Sequence, residues 1–154
     1  MVEQKLPMPA RGNDSQCDVF AILRSAHDLV AMAVEAKVAE PFGDTVGKWL
    51  SGGGDNRLSR LAGICELLEI NSAPHHLRYQ LFHRTAAAVI EARRLKADIA
   101  AMVVQSFSPD HLSHDEYAAF CEHLGVSSDR GVLQRKQLAD GLTLALGWVT
   151  SPVR

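Results

Sequence analysis

The chain is short of most features that would declare a function class at sight. It has only three cysteines, Cys17, Cys65 and Cys121, widely spaced and odd in number. Reduced thiols in a cytoplasmic protein fit this better than a disulfide framework. No uninterrupted apolar run approaches the ~20 residues of a membrane helix. The opening MVEQKLPMPARGNDS lacks the charged-then-apolar build of a secretory signal. There is no excess of positive charge: the net charge is −2. No global basic field therefore advertises nucleic acid, and such a partner has to be met by a local patch. Internal repeats are missing. The glycine run Ser51-Gly52-Gly53-Gly54-Asp55 lacks the Gly-Lys-Ser/Thr ending of a phosphate-binding loop and reads as a connector. His111, His114 and Cys121 match no common zinc spacing. The run Ser113-His114-Asp115 is no hydrolase triad, because sequence neighbours do not supply triad geometry.

What remains is one globular domain's worth of material, 154 residues of which 47% are hydrophobic. Its chemistry is concentrated in SQCDVFAILRSAHDLVAMAVEAKVAEPFG, residues 15–43. Two short apolar runs, 19–23 and 29–34, contain Val, Ile and Phe and are joined by the polar turn Arg24-Ser25-Ala26-His27-Asp28, which predicts a β-hairpin. A loop at 26–27 or at 25–28 gives the same pairing. Arg24 then faces Leu29, and the same register carries Asp18 across from Glu35, with β-carbons about 4.5–5.5 Å apart. Lys37, two residues on, shares the face of Glu35. Opposed carboxylates repel, and a hard divalent cation between them removes the penalty. Lys37 adds positive charge where a phosphate oxygen or an attacking water would sit.

The pattern Asp18…Glu35-Ala36-Lys37 on a hairpin resembles the PD-(D/E)XK nuclease superfamily, the restriction-endonuclease-like fold. The wider run, with RYQLFHRTAAAVIEA and VVQSFS, also looks like an uncharacterised bacterial family of that fold. The resemblance implies that Asp18 and Glu35 ligate Mg²⁺ (or Mn²⁺), with the Ala36 carbonyl as a third ligand, and that Lys37 positions or polarises the attacking water. In one branch of the superfamily a Gln on the following helix reaches back to the site, with Tyr four residues later. The matching positions here are Gln80 and Arg84, so the second departs from the pattern. Gln80, His83 and Arg84 become candidates for holding substrate, Arg84 by bidentate pairing with phosphate. The superfamily usually opens with a helix and a strand before the Asp-bearing strand, and supplies a further acid from that helix. Here residues 1–14 read as a flexible lead-in whose only acids are Glu3 and Asp14.

The rest of the chain reads as α/β. Residues 44–50 suit one or two helical turns carrying Trp49, and Glu40 is an accessory acid or a strand-end charge. A helix over 55–69, capped by Asp55 or Asn56, presents Leu58, Leu61, Cys65 and Leu68, with Arg57 and Arg60 off that stripe. A long helix over 74–96 buries Leu77, Leu81, Thr85, Ala88, Ala92 and Leu95. Residues 99–107, IAAMVVQSF, read as a buried central strand, with Gln105, Ser106 and Ser108 at its end. Ser113 and Glu116 form a capping box opening a helix over 113–124. Residues 126–138 are polar and basic, and a last strand over 141–149 carries Gly147, a sign of a bulge or a close contact. The fold class is a mixed sheet of about four strands (18–24, 29–38, 99–107, 141–149) flanked by helices. It comprises one nuclease-like domain over 15–150 and a frayed tail over 151–154.

The function expected from the resemblance is Mg²⁺-dependent hydrolysis of nucleic-acid phosphodiesters, DNA ahead of RNA. The rival is an inactive interaction or nucleic-acid-binding module that keeps the fold. No membrane partner is expected, and sheet left uncovered by the short N-terminus favours a homodimer.

Overall fold

Short apolar runs form four strands of the main sheet, and apolar residues recurring every three or four positions form the helices. The computed structural model describes residues 4–10 and 13–151; the expectations for Glu3 and for the tail beyond Ser151 lie outside them. Strand β1 (Gln4–Leu6) pairs antiparallel with β2 (Ser15–Cys17) in a small two-stranded sheet. The lead-in is thus not simply flexible: Leu6 is 1% exposed and joins the main core. An apolar residue between polar neighbours was enough to dock three residues of strand.

The main sheet contains β3 (Val19–Arg24), β4 (Leu29–Lys37), β5 (Ile99–Ser106), β6 (Gln134–Gln137) and β7 (Thr143–Thr150). Their order is β3-β4-β5-β7-β6, with β4, β5 and β7 parallel and the two edge strands antiparallel to their neighbours. The α/β class stands, with five strands in place of about four. The extra one, β6, reads Gln-Arg-Lys-Gln and carries no apolar signal, because an edge strand half in water needs none and gains from charge that discourages further pairing.

Four helices, α1 (Val46–Ser51), α2 (Asp55–Leu68), α3 (Tyr79–Leu95) and α4 (His114–Leu124), cover one face of this sheet. Their buried residues join Ala31, Ala33, Ala100, Met102, Val104, Leu144, Leu146 and Trp148 in a single cluster. The other face gathers only strand residues, Ile99, Ala101 and Ala145 with Val30 and Met32. The expected flanking helices are present, and they lie on one side of the sheet.

Three local expectations are corrected. The helix predicted from 74 begins at Tyr79, because residues 74–77 close a turn, the Leu77 amide donating to the Pro74 carbonyl, and Arg78 bridges Thr45 at the start of α1. There the amides of Val46, Gly47 and Tyr79 donate to the carbonyls of Leu77, His75 and Asp44. Neither predicted cap forms. Ser113 sits in the left-handed region (φ 67°) and makes no side-chain cap, while Glu116 turns to Arg78 instead; α2 opens from Gly54 with Asp55 already helical. Finally, the inward face of α2 differs in part from its expected stripe: Cys65 and Leu68 are buried and Leu61 packs on the core as expected, but Leu58 is exposed and Arg60 and Ile64 face inward. At Gly147 the ladder continues without a bulge, and the close contact is with the Leu133 side chain, which a Cβ would meet at 2.8 Å.

Candidate functional site

The hairpin has the expected register, from Arg24 opposite Leu29 to Val19 opposite Val34. It closes at Ser25, whose amide donates to the Asp28 carbonyl and whose hydroxyl accepts from the amides of His27 and Asp28. The ladder stops one residue short of an Asp18–Glu35 pair. Asp18 lies at the bend between β2 and β3, its amide donating to the Val34 carbonyl at 3.2 Å. Its Oδ2 accepts the Ala36 N–H at 2.7 Å. The carboxylate thus caps the edge of β4 where β3 has left it. Because a residue's N–H and C=O point the same way across a ladder, the Ala36 carbonyl faces the Asp18 side too.

Glu35 and Lys37 alternate with Ala36 and point to the helix-covered face, each 5% exposed. Glu35 Oε1 accepts from Lys37 Nζ at 3.0 Å and from Gln80 Nε2 at 2.6 Å, and Oε2 accepts from Arg84 Nε at 2.7 Å. Arg84 also donates to the buried Ser15 hydroxyl at 2.9 Å. Lys37 lies 5.2 Å from the centre of the Phe42 ring, a cation–π partner that the sequence reading did not single out. Residues 18 and 45 positions apart in sequence are thereby brought to one sheet end. The charge cost that suggested a cation is met internally: Lys37 and Arg84 answer Glu35 directly.

Cys17 reports the same field. Burial pushes its thiol up, Arg84 works against that, and Glu35 and Asp18 push it further up. All three cysteines are buried and unbridged.

Of the residues expected to hold substrate, Gln80 and Arg84 are bound to Glu35, while His83 stacks on Tyr79 at 5.3 Å and lines a neighbouring cavity. Burial, with Arg84 and Arg60 adding to it, lowers the His83 pKa from 6.5 to about 3. The unfolded chain then takes up this proton at higher pH than the folded one, so stability falls as pH drops from 6.5 towards 3. A urea midpoint that declines over this window in the wild type, and declines less in His83→Phe, is the expected outcome. Equal slopes in the two proteins rule out a buried neutral imidazole.

The remaining candidates have structural partners. Gln105 donates to Ser151, and Ser106 and Ser108 are buried and bonded to each other. His114 contacts the Ser128 carbonyl and His111 the Thr150 hydroxyl. Among the described residues no three His, Cys, Asp or Glu side chains are grouped to hold a metal ion. The expected ligands, Asp18, Glu35 and the Ala36 carbonyl, include only two such side chains. Their oxygens suit a hard cation such as Mg²⁺ or Mn²⁺. One observation fits such a guest: Gln80 Oε1 is buried beside Glu35 without a hydrogen-bond partner, and a buried acceptor calls for a donor or a cation.

A family model described as a domain of unknown function, DUF6946, matches residues 1–153. The chain belongs to the DUF6946 family. No curated protein and no solved structure matches it. Membership thus covers nearly the whole chain, both sheets included, but attaches no activity to it. No helix among the described residues is long and apolar enough to cross a membrane.

Proposed function

We propose that this DUF6946 domain is a Mg²⁺- or Mn²⁺-dependent nuclease that hydrolyses phosphodiester bonds, with DNA ahead of RNA as substrate. The observation supporting the reading is the return of Gln80 from α3 to Glu35, beside Asp18 and Lys37, with Gln80 Oε1 buried and unpartnered. Asp18, Glu35 and the Ala36 carbonyl would hold the ion, which supplies Lewis acidity to a phosphoryl oxygen and acidity to water. Lys37 contributes positive charge to the phosphate or orients the attacking water. Arg84 and Gln80 fix the rotamer of Glu35, and His83 meets substrate from the next cavity. A cytoplasmic setting suits the three unbridged thiols. The helix-free face of the sheet, with Val19 and Leu23 exposed, suits a second copy of the chain.

A second reading is favoured by the burial of Glu35 and Lys37 and by the two cations that already answer Glu35. In it, the domain keeps a nuclease-like core as an interaction module and cleaves nothing.

Metal binding and cleavage separate the two. Mg²⁺ or Mn²⁺ should raise the melting temperature of the wild type, since a ligand of the folded state stabilises it. Asp18→Asn and Glu35→Gln should blunt that response in calorimetric titration. Purified protein with Mg²⁺ should cut at least one of single- or double-stranded DNA or RNA. A protein that binds no cation and cuts none of these substrates is the interaction module.

A further inference from the structure

Beside the Glu35 cluster lies a cavity of about 340 Å³ whose charges are unbalanced, bounded by Trp49, Arg57, Arg60, Tyr79 and His83 and by residues 13–14. Arg60 is 7% exposed, because it faces inward in line with Ile64 and Leu68 on α2. A buried guanidinium ordinarily faces a carboxylate, since an uncompensated charge away from water is costly. Among the described residues Arg60 forms no ion pair. It donates instead to the Asn13 carbonyl at 2.6 Å. Arg57 is likewise without an ion pair among them. It lies 5.3 Å from the centre of the Trp49 ring, donates to the Trp49 carbonyl and presses against Gly52, where a Cβ would collide with it.

Two buried polar atoms on the same cavity are also unsatisfied. Among the described residues His83 Nε2 has no hydrogen-bond partner, and the Tyr79 hydroxyl lies near Arg60 without a well-aligned bond. The rings themselves form a column: Arg57 on Trp49, Trp49 on Tyr79 at 3.8 Å, Tyr79 on His83. Their inner faces are spent on one another. What the cavity offers is therefore two cations and polar ring edges, which suit an oxyanion and not a stacked base.

We propose that this cavity binds the phosphate group of a phosphomonoester, with Arg57 and Arg60 supplying charge and Tyr79 Oη and His83 Nε2 donating hydrogen bonds. Fork-shaped guanidiniums match phosphate oxygens two at a time. The imidazole, neutral at pH 7, carries one N–H to give, which Nε2 can bear. Asp14 is exposed on this cavity, where water screens its charge. None of these four residues bonds Glu35, and phosphate binding here does not depend on hydrolysis there; His83 is the one residue it shares with the proposed substrate path.

Thermal melts and calorimetric titrations test the assignment, with inorganic phosphate, a nucleoside 5′-monophosphate and the parent nucleoside as probes. Phosphate and the monophosphate should each raise the wild-type melting temperature saturably, and the nucleoside should not. A larger response to the monophosphate marks an ester as the ligand, and equal responses mark the free ion; both support the phosphate site. Arg60→Met should weaken binding by about tenfold or more, the usual scale for a charge-assisted contact. In phosphate-free buffer the same variant should melt higher than the wild type, because the unpaired charge is gone. Glu35→Gln should keep the phosphate response, which separates this site from the proposed hydrolytic one. Should Arg60→Met fail to fold, Arg57→Ala repeats the test at a half-buried position. The proposal is overturned if phosphate gives no saturable shift, if the nucleoside binds as well as its monophosphate, or if neither arginine variant changes the affinity.

Discussion

Glu35→Ala should destabilise the domain by about 3–5 kcal/mol, the cost of leaving buried charge unpaired. The carboxylate accepts from three side chains at once, and two of these, Lys37 and Arg84, are cations with side chains 7% and 13% exposed. Removing it strands both in a site with little water. Glu35→Gln should cost less, since an amide oxygen still accepts one of the bonds. Replacing the cluster together, as Glu35→Leu with Lys37→Met and Arg84→Met, should restore much of the lost stability, because a packed apolar triad needs no compensation. Urea denaturation of the four proteins gives the comparison. A loss below about 1 kcal/mol for Glu35→Ala, the scale of an exposed pair, would show that solvent reaches the cluster and screens it. The triple replacement has a further use. If stability returns while cation binding and cleavage vanish, the charged residues serve chemistry and not the fold.

Lys37→Ala should reduce metal-dependent cleavage by about 10²–10³ while largely preserving cation binding, the typical loss when one well-placed electrostatic group is removed. The fold should tolerate the change better than it tolerates Glu35→Ala, because Gln80 and Arg84 still hold the carboxylate. Among the described residues the Lys37 side chain bonds Glu35 and lies over Phe42. Single-turnover rates with saturating Mg²⁺, measured alongside calorimetric titration of the cation, separate the two effects. A variant that cleaves at the wild-type rate removes Lys37 from the chemistry. A variant that loses cation binding along with cleavage makes Lys37 a support for Glu35.

The strands with apolar runs, and the hairpin register that places Glu35 and Lys37 on one face, were legible because alternation and a polar turn fix both. The same signals failed where a residue's neighbours in space outvoted its neighbours in sequence. Leu58 looked like core and is exposed, while Arg60 looked like surface and is buried. Helical spacing alone accepts either stripe, and contact with Asn13 and Tyr79, distant in the chain, decides between them. The phosphate-like cavity was hidden for the same reason, although Arg60, Ile64 and Leu68 do fall at intervals of four. Strand β6 was missed because an edge strand carries no hydrophobic pattern. The Ser113 cap failed because Glu116, which should have completed it, is taken by Arg78. Asp18 was found by extrapolating a ladder that ends at Val19; its real anchor is the amide of Ala36.

The strand order also sets a timetable for synthesis. Strand β5 finds one partner, β4, earlier in the chain, but its other partner, β7, is complete only at residue 150. Until then a nascent chain carries the strand IAAMVVQS with one edge unpaired, the kind of edge that recruits foreign strands. Strand β6 cannot help, since it bonds to β7 alone. The second edge of β5 is therefore covered only when the last strand of the described chain reaches the sheet.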